Sequence, residues 1–259
     1  MLRKFTFALF LLVTLLIGTG CDLDSLTDPI VITEVEDEFN VSMWEVLDST
    51  GRQLEFRIET IKELNCENAE ISYSFLREGN YLELRFNEIV EPEDCNPGIG
   101  RAEATAVAGR LEDRIYDVEI DLQETIINEG RLSVDPVRYA LNMESQDGIR
   151  IDQTTLHRVP RNAIWGYISF PDSLAQEAFA AQDQLENSLR ELDLNPGYYG
   201  YFTLANNTLG IRNAPKDGNL ISFIYDRSGQ TFGSIKPMIT AFRGRGLQLE
   251  VTDDWGRSY

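Results

Sequence analysis

The sequence predicts an α+β chain of two domains, an antiparallel β-sandwich followed by a smaller domain that mixes strands and helices. Three observations carry that expectation. Apolar alternation of period two runs through residues 31–152 with no helical stretch. From residue 162 onward, strand patterns alternate with two helical ones. The charge divides at the same place: Asp22 to His157 holds 32 acidic and 11 basic residues, whereas Arg158 to Tyr259 holds 11 and 10.

Residues 1–20 read as a secretory leader. Arg3 and Lys4 form a basic start, and Phe5 to Ile17 is apolar except for Thr6 and Thr14. That run is too short to remain as a membrane-spanning helix, so it is a segment to be removed. Gly18, Thr19 and Gly20 are small residues leading into Cys21. A leader ending in Gly-Cys resembles the lipobox of bacterial lipoproteins, with Gly18 standing where that family usually carries Leu, Val or Ile. The resemblance implies that Cys21 is lipidated and becomes the new N-terminus. It also implies an exported protein held on a membrane of the bacterial cell envelope, the outer membrane or cell surface. Lipoproteins carry two or three acyl chains, and each buried methylene contributes about 0.8 kcal/mol, so the implied anchoring is stable. A plain secretory leader with an incidental cysteine is the alternative. Residues 21–30 then form a lipidated tether, polar from Asp22 to Asp28 and ending at Pro29-Ile30.

Residues 31–152 are expected to be the acidic β-sandwich. Leu54, Phe56 and Ile58 alternate with Glu55, Arg57 and Glu59; Leu82, Leu84 and Phe86 alternate with Glu83 and Arg85. Ile71 to Phe75, Tyr116 to Leu122 and Val137 to Met143 repeat the pattern. Turn signals separate the runs at Gly51, Gly79-Asn80, Pro97-Gly98 and Gly130. About seven strands at this spacing suit a sandwich of immunoglobulin-like size. With Cys21 set aside, Cys66 and Cys95 are an even pair in an exported chain, which suggests a disulfide. It closes a loop of about 29 residues and stabilises the fold by roughly 3–4 kcal/mol on the chain-entropy account. Two free buried thiols are the alternative.

Residues 153–161 read as a linker, and residues 162–259 as the α+β domain. Ile164 to Phe170 is a strand, ended by Pro171-Asp172. Ser173 and Gln176 suit a capping box for a helix that buries Leu174, Ala178, Ala181, Leu185, Leu189 and Leu192. Tyr198 to Leu204 and Leu220 to Tyr225 are strands, Ile235 to Arg243 is a second helix, and Leu247 to Val251 closes the chain. The order βαββαβ resembles the ferredoxin-like split βαβ fold, which by itself says little about function.

The residues exclude more chemistry than they suggest. His157 is the single histidine, and no Gly-x-Ser-x-Gly elbow or phosphate-binding glycine loop is present. The strongly negative first domain disfavours nucleic acid. Two candidate sites remain. Glu91, Glu93, Asp94 and Asn96 crowd one loop beside Cys95; hard oxygen ligands there suit Ca²⁺, with a solvated acidic loop as the bland alternative. In the second domain, alternation turns Trp165, Tyr167, Tyr199 and Tyr201 to the sheet face that helices leave open, with Tyr225 joining them in one of two registers. Such a patch marks a contact surface: for the first domain, for a second copy of the chain, or for a glycan or protein partner. The expected function is non-enzymatic binding or scaffolding at the envelope. A hydrolase acting on envelope or extracellular polymers through paired carboxylates is the alternative.

Overall fold

The computed structural model describes residues 37–259. The leader, Cys21 and the tether lie outside the described residues. Strands β1 (Phe39–Asp48) and β2 (Gly51–Thr60) form a hairpin whose turn is held by the Asp48 carboxylate, which accepts from the Thr50 and Gly51 N–H groups. β3 (Leu64–Cys66) leads into a second hairpin, β4 (Glu70–Glu78) and β5 (Tyr81–Val90). Gly79, at φ +61°, lies in its two-residue turn. β6 (Pro97–Gly100) returns to pair with β3 in a small ribbon, which the Cys66–Cys95 disulfide bridges with its Cα atoms 5.5 Å apart.

β7 (Glu103–Gly109), β8 (Ile115–Leu122), β9 (Ile126–Val134), β10 (Arg138–Met143), β11 (Ile149–Arg150) and β12 (Thr155–His157) complete one mixed sheet of ten strands. Its order is β11-β1-β2-β7-β4-β5-β8-β9-β10-β12, with parallel pairs at β1/β11, β4/β7 and β5/β8. The sheet curls strongly. Phe39 on β1 and Phe86 on β5 have ring centroids 4.9 Å apart, although three strands lie between them in the order. In a flat sheet, four strand spacings would separate them by about 19 Å. Bulges opposite Leu54/Glu55 and Ser72/Tyr73 supply part of the bend. The concave side holds the main core, with Val41, Leu54, Ile120, Leu132 and Leu156 fully buried.

This half-barrel overturns the immunoglobulin-like sandwich. Alternation correctly marks an inward face, but both inward faces belong to one curled sheet rather than to two stacked ones. Residues 153–161 contain β12, an edge strand of that sheet.

The ferredoxin-like assignment is corrected as well. β13 (Ala163–Phe170) lies within a four-stranded antiparallel sheet that also contains β14 (Arg190–Glu191), β18 (Asn219–Asp226) and β19 (Gln248–Asp253), in the order β14-β18-β13-β19. The expected full strand at Tyr198 to Leu204 is absent from it. Those residues instead enter a separate three-stranded meander, β15 (Gly197–Tyr198), β16 (Phe202–Ala205) and β17 (Thr208–Ile211). Helices α1 (Ala175–Ser188) and α2 (Phe232–Arg243) pack on one face of the four-stranded sheet. Ala178, Ala181, Leu185, Ile235, Ile239 and Phe242 meet Ile164, Ile168, Phe223, Leu249 and Val251 there. The expected capping box is not formed; a 3-10 turn, Asp172–Leu174, precedes α1 without a side-chain cap. The described residues, 37–259, all belong to one compact unit. None of the described helices is long and apolar enough to cross a membrane.

Candidate functional site

The sheet face that the sequence leaves open is closed in the structure. β13 alternation sends Trp165 and Tyr167 away from the helices, as the pattern requires. The meander then folds over Trp165, and the pair packs against β1 of the large sheet. Trp165 is 2% exposed and Tyr199 3% exposed, within a cluster that includes Leu47, Val159, Ala163 and Phe202. Tyr201 lies between two tryptophans, 4.8 Å from Trp44 and 5.5 Å from Trp165 by ring centroids. Its hydroxyl accepts a hydrogen bond from the Leu47 N–H at 3.2 Å. Tyr199 stacks on Phe202 at 4.7 Å and on His157 at 5.0 Å. Gly200 makes this approach feasible: it adopts φ +80°, and a Cβ there would already touch the Trp44 ring at 3.4 Å.

Where this seam reaches the surface it leaves a cleft of about 360 Å³. Trp44, Trp165 and Tyr201 form its aromatic floor, and Arg57, Tyr167, Arg212, Asn213 and Glu250 stand around it. The guanidiniums of Arg57 and Arg212 lie over the Trp44 ring, 3.9 and 4.5 Å from its centroid. Such stacking holds a cation against an aromatic face while leaving its N–H groups at the edge free to donate. Tyr167 donates to Glu250 at 2.7 Å, and β13–β19 pairing sets the two residues opposite each other. Burial and then the neighbouring carboxylate push the Tyr167 hydroxyl up to about 12, so it stays a proton donor at neutral pH. Gly166 separates the two aromatics; a Cβ there would collide with the backbone of Glu250 and Val251. The cleft therefore offers cationic donors on one side and a hydroxyl–carboxylate pair on the other.

Of the five aromatics expected on this face, Trp165, Tyr167 and Tyr201 line the cleft. Tyr199 is sealed within the seam. Tyr225 is on the opposite face: β13–β18 register pairs Tyr167 with Ser222 and Trp165 with Ile224, so Tyr225 points to the helices, where its hydroxyl donates to Glu186 at 3.3 Å. Sequence reasoning missed Trp44, Arg57 and Arg212 as members. The available signal was in β1, where Trp44 occupies a position that alternation assigns to the outer face.

The acidic loop is not assembled as a ligand set. Glu91, Glu93 and Asp94 are exposed, and the Asn96 N–H donates to the Asn68 side chain at 2.7 Å. Among the described residues, the carboxylates close enough to share an ion are Glu83, Glu119 and Asp121. Arg85 already bridges two of them, at 2.8 Å to Glu83 and 2.8 Å to Asp121.

Comparison with known proteins returns no match: no family model, no curated protein and no solved structure is similar to this chain.

Proposed function

We propose that this is an exported lipoprotein of the bacterial envelope with a non-enzymatic binding or scaffolding role, anchored through Cys21. The folded part presents the aromatic-floored cleft to a polar partner, and a glycan suits the lining best. The observation that carries this reading is the cleft itself: aromatic rings with polar tips, two ring-stacked arginines and a Tyr167–Glu250 pair converge on one opening. Among the described lining residues Glu250 is the one carboxylate, whereas acid–base cleavage of a glycoside calls for two. The disulfide suits an oxidising compartment.

Trp44 and Trp165 serve as built-in reporters. Titration with soluble fragments of envelope polysaccharide should change their fluorescence saturably, and Arg212→Ala combined with Tyr167→Phe should weaken binding at least about tenfold. No fluorescence change with any fragment, or full affinity in the double variant, would remove the glycan reading. Anchoring is tested separately: Cys21→Ser should move the protein from the membrane fraction to the soluble one, and unchanged membrane retention would refute the lipid.

A further inference from the structure

Arginines gather in an acidic protein at a second place. Two adjoining hollows, of about 520 and 500 Å³, share four residues: Arg52, Arg110, Arg158 and Arg161. They lie where the large sheet meets the segment leading into β13, and they share no lining residue with the aromatic cleft. Arg52 and Arg158 form the floor, 18% and 16% exposed at their side chains; Arg110 and Arg161 are exposed at the rim.

The floor pair is held by Glu45, which has no exposed surface. Arg158 Nε donates to it at 3.1 Å, and Arg52 Nη1 stands at 3.7 Å while bonding the Val159 carbonyl. Two guanidiniums thus share one buried carboxylate. Arg52 Nη2 is buried with no acceptor among the described residues. Arg110 and Arg161 form no ion pair among the described residues.

Four acidic residues also line the hollows, and three are committed elsewhere. Asp254 accepts from Arg227 at 2.7 Å and from the Asn162 N–H. Glu112 pairs with Arg114, and Asp48 is occupied by its own turn. Asp113 meets Arg158 at 3.4 Å, which balances the floor. Asp48 keeps its charge, because its turn partners are uncharged N–H and O–H groups, so what remains is the two guanidiniums of Arg110 and Arg161 against that one carboxylate.

We propose that this arginine cleft is a second ligand site and that it takes a phosphomonoester group. A phosphomonoester presents about −1.5 to −2 charge at neutral pH to Arg110 and Arg161, the two guanidiniums that have no ion-pair partner among the described residues. Its three terminal oxygens suit the planar donor forks of arginine. A phosphorylated sugar and free inorganic phosphate share that chemistry.

The test uses the purified protein, melted and titrated calorimetrically with glucose 6-phosphate, inorganic phosphate, and glucose with matched sodium chloride as the uncharged control. Both phosphates should raise the melting temperature and bind saturably; glucose and salt should do neither. Arg110→Gln combined with Arg161→Gln should weaken binding at least about tenfold. These are exposed side chains without ion-pair partners, so the fold should be retained. Arg212→Ala, in the other cleft, should leave phosphate binding intact. A stronger response to glucose 6-phosphate supports the site with a sugar phosphate as ligand, and equal responses support it with free phosphate. A flat response to both phosphates, an equal response to glucose, or full binding in the double variant would overturn it.

Discussion

At residue 45 a carboxylate sits fully buried between the first strand and the segment that enters the second sheet. It accepts from Tyr139 at 3.2 Å, from Arg158 at 3.1 Å and from the Val159 N–H at 3.1 Å. Burial, with the Glu45 charge as the next cause, pushes the Tyr139 hydroxyl well above its ordinary value, so the tyrosine acts as a donor. Removing one partner of a buried ionic group leaves the others uncompensated, at a cost of about 3–5 kcal/mol. Glu45→Gln should lose stability of that order in urea denaturation; a loss below about 1 kcal/mol would show that Arg52 and Arg158 do not depend on the charge. His157 is the other telling residue. Burial, and then the Arg138 charge, hold its pKa below the ordinary 6.5, with Asp135 opposing. The unfolded chain therefore takes up the proton first as pH falls. Stability should be full above about 6.5 and should decline as pH drops through the lower folded value. Thermal melts of the wild type and His157→Gln across pH 5 to 8 check this: only the wild type should carry that component.

At the scale of elements, the faces of the strands were legible and their neighbours were not. Alternation in β13 places Ile164 and Ile168 under the helices and Trp165 on the other side, and the structure agrees. The same alternation in β1, β2, β4, β5 and β8 is compatible with two stacked sheets or with one curled sheet. Strand order depends on contacts far apart in sequence, such as Phe39 with Phe86, which periodicity does not encode. The stretch Tyr198 to Leu204 alternates like a sheet strand, yet Gly200 at φ +80° breaks it into two meander strands. The bridge between Cys66 and Cys95 was readable from composition, and it ties β3 to the approach of β6. Cys66→Ser combined with Cys95→Ser should cost roughly 3–4 kcal/mol of unfolding free energy, because a 29-residue separation is no longer closed in the unfolded chain. Stability unchanged within about 0.5 kcal/mol would count against that account.

For the whole molecule, the aromatic seam decides how the parts work together. Trp165, Tyr199 and Phe202 are buried where the four-stranded sheet, the meander and the large sheet meet. Replacing a fully buried tryptophan by alanine typically costs about 3–5 kcal/mol. Trp165→Ala should show that loss, and calorimetry should then resolve two unfolding transitions in place of one. A single transition with little change in midpoint would mean that the seam does not couple the two sheets. The same seam explains why the candidate site was only half visible beforehand. Trp165, Tyr167 and Tyr201 stood out as aromatics on an alternating face. Trp44 and Arg57 come from the β1–β2 hairpin and Arg212 from the end of the meander, and only the packing of the meander on β1 brings all three to one cleft with Trp165.

Residue chemistry alone determined which side of β2, β5, β8 and β13 turns inward, where charge concentrates and which cysteines pair, since these follow from side-chain type and local spacing. The curl of the ten strands, the burial of the tyrosines and tryptophans, and the convergence of four arginines were decided by tertiary structure. They rest on which segments meet, and that choice minimises exposed apolar surface over the entire chain rather than within any window of it.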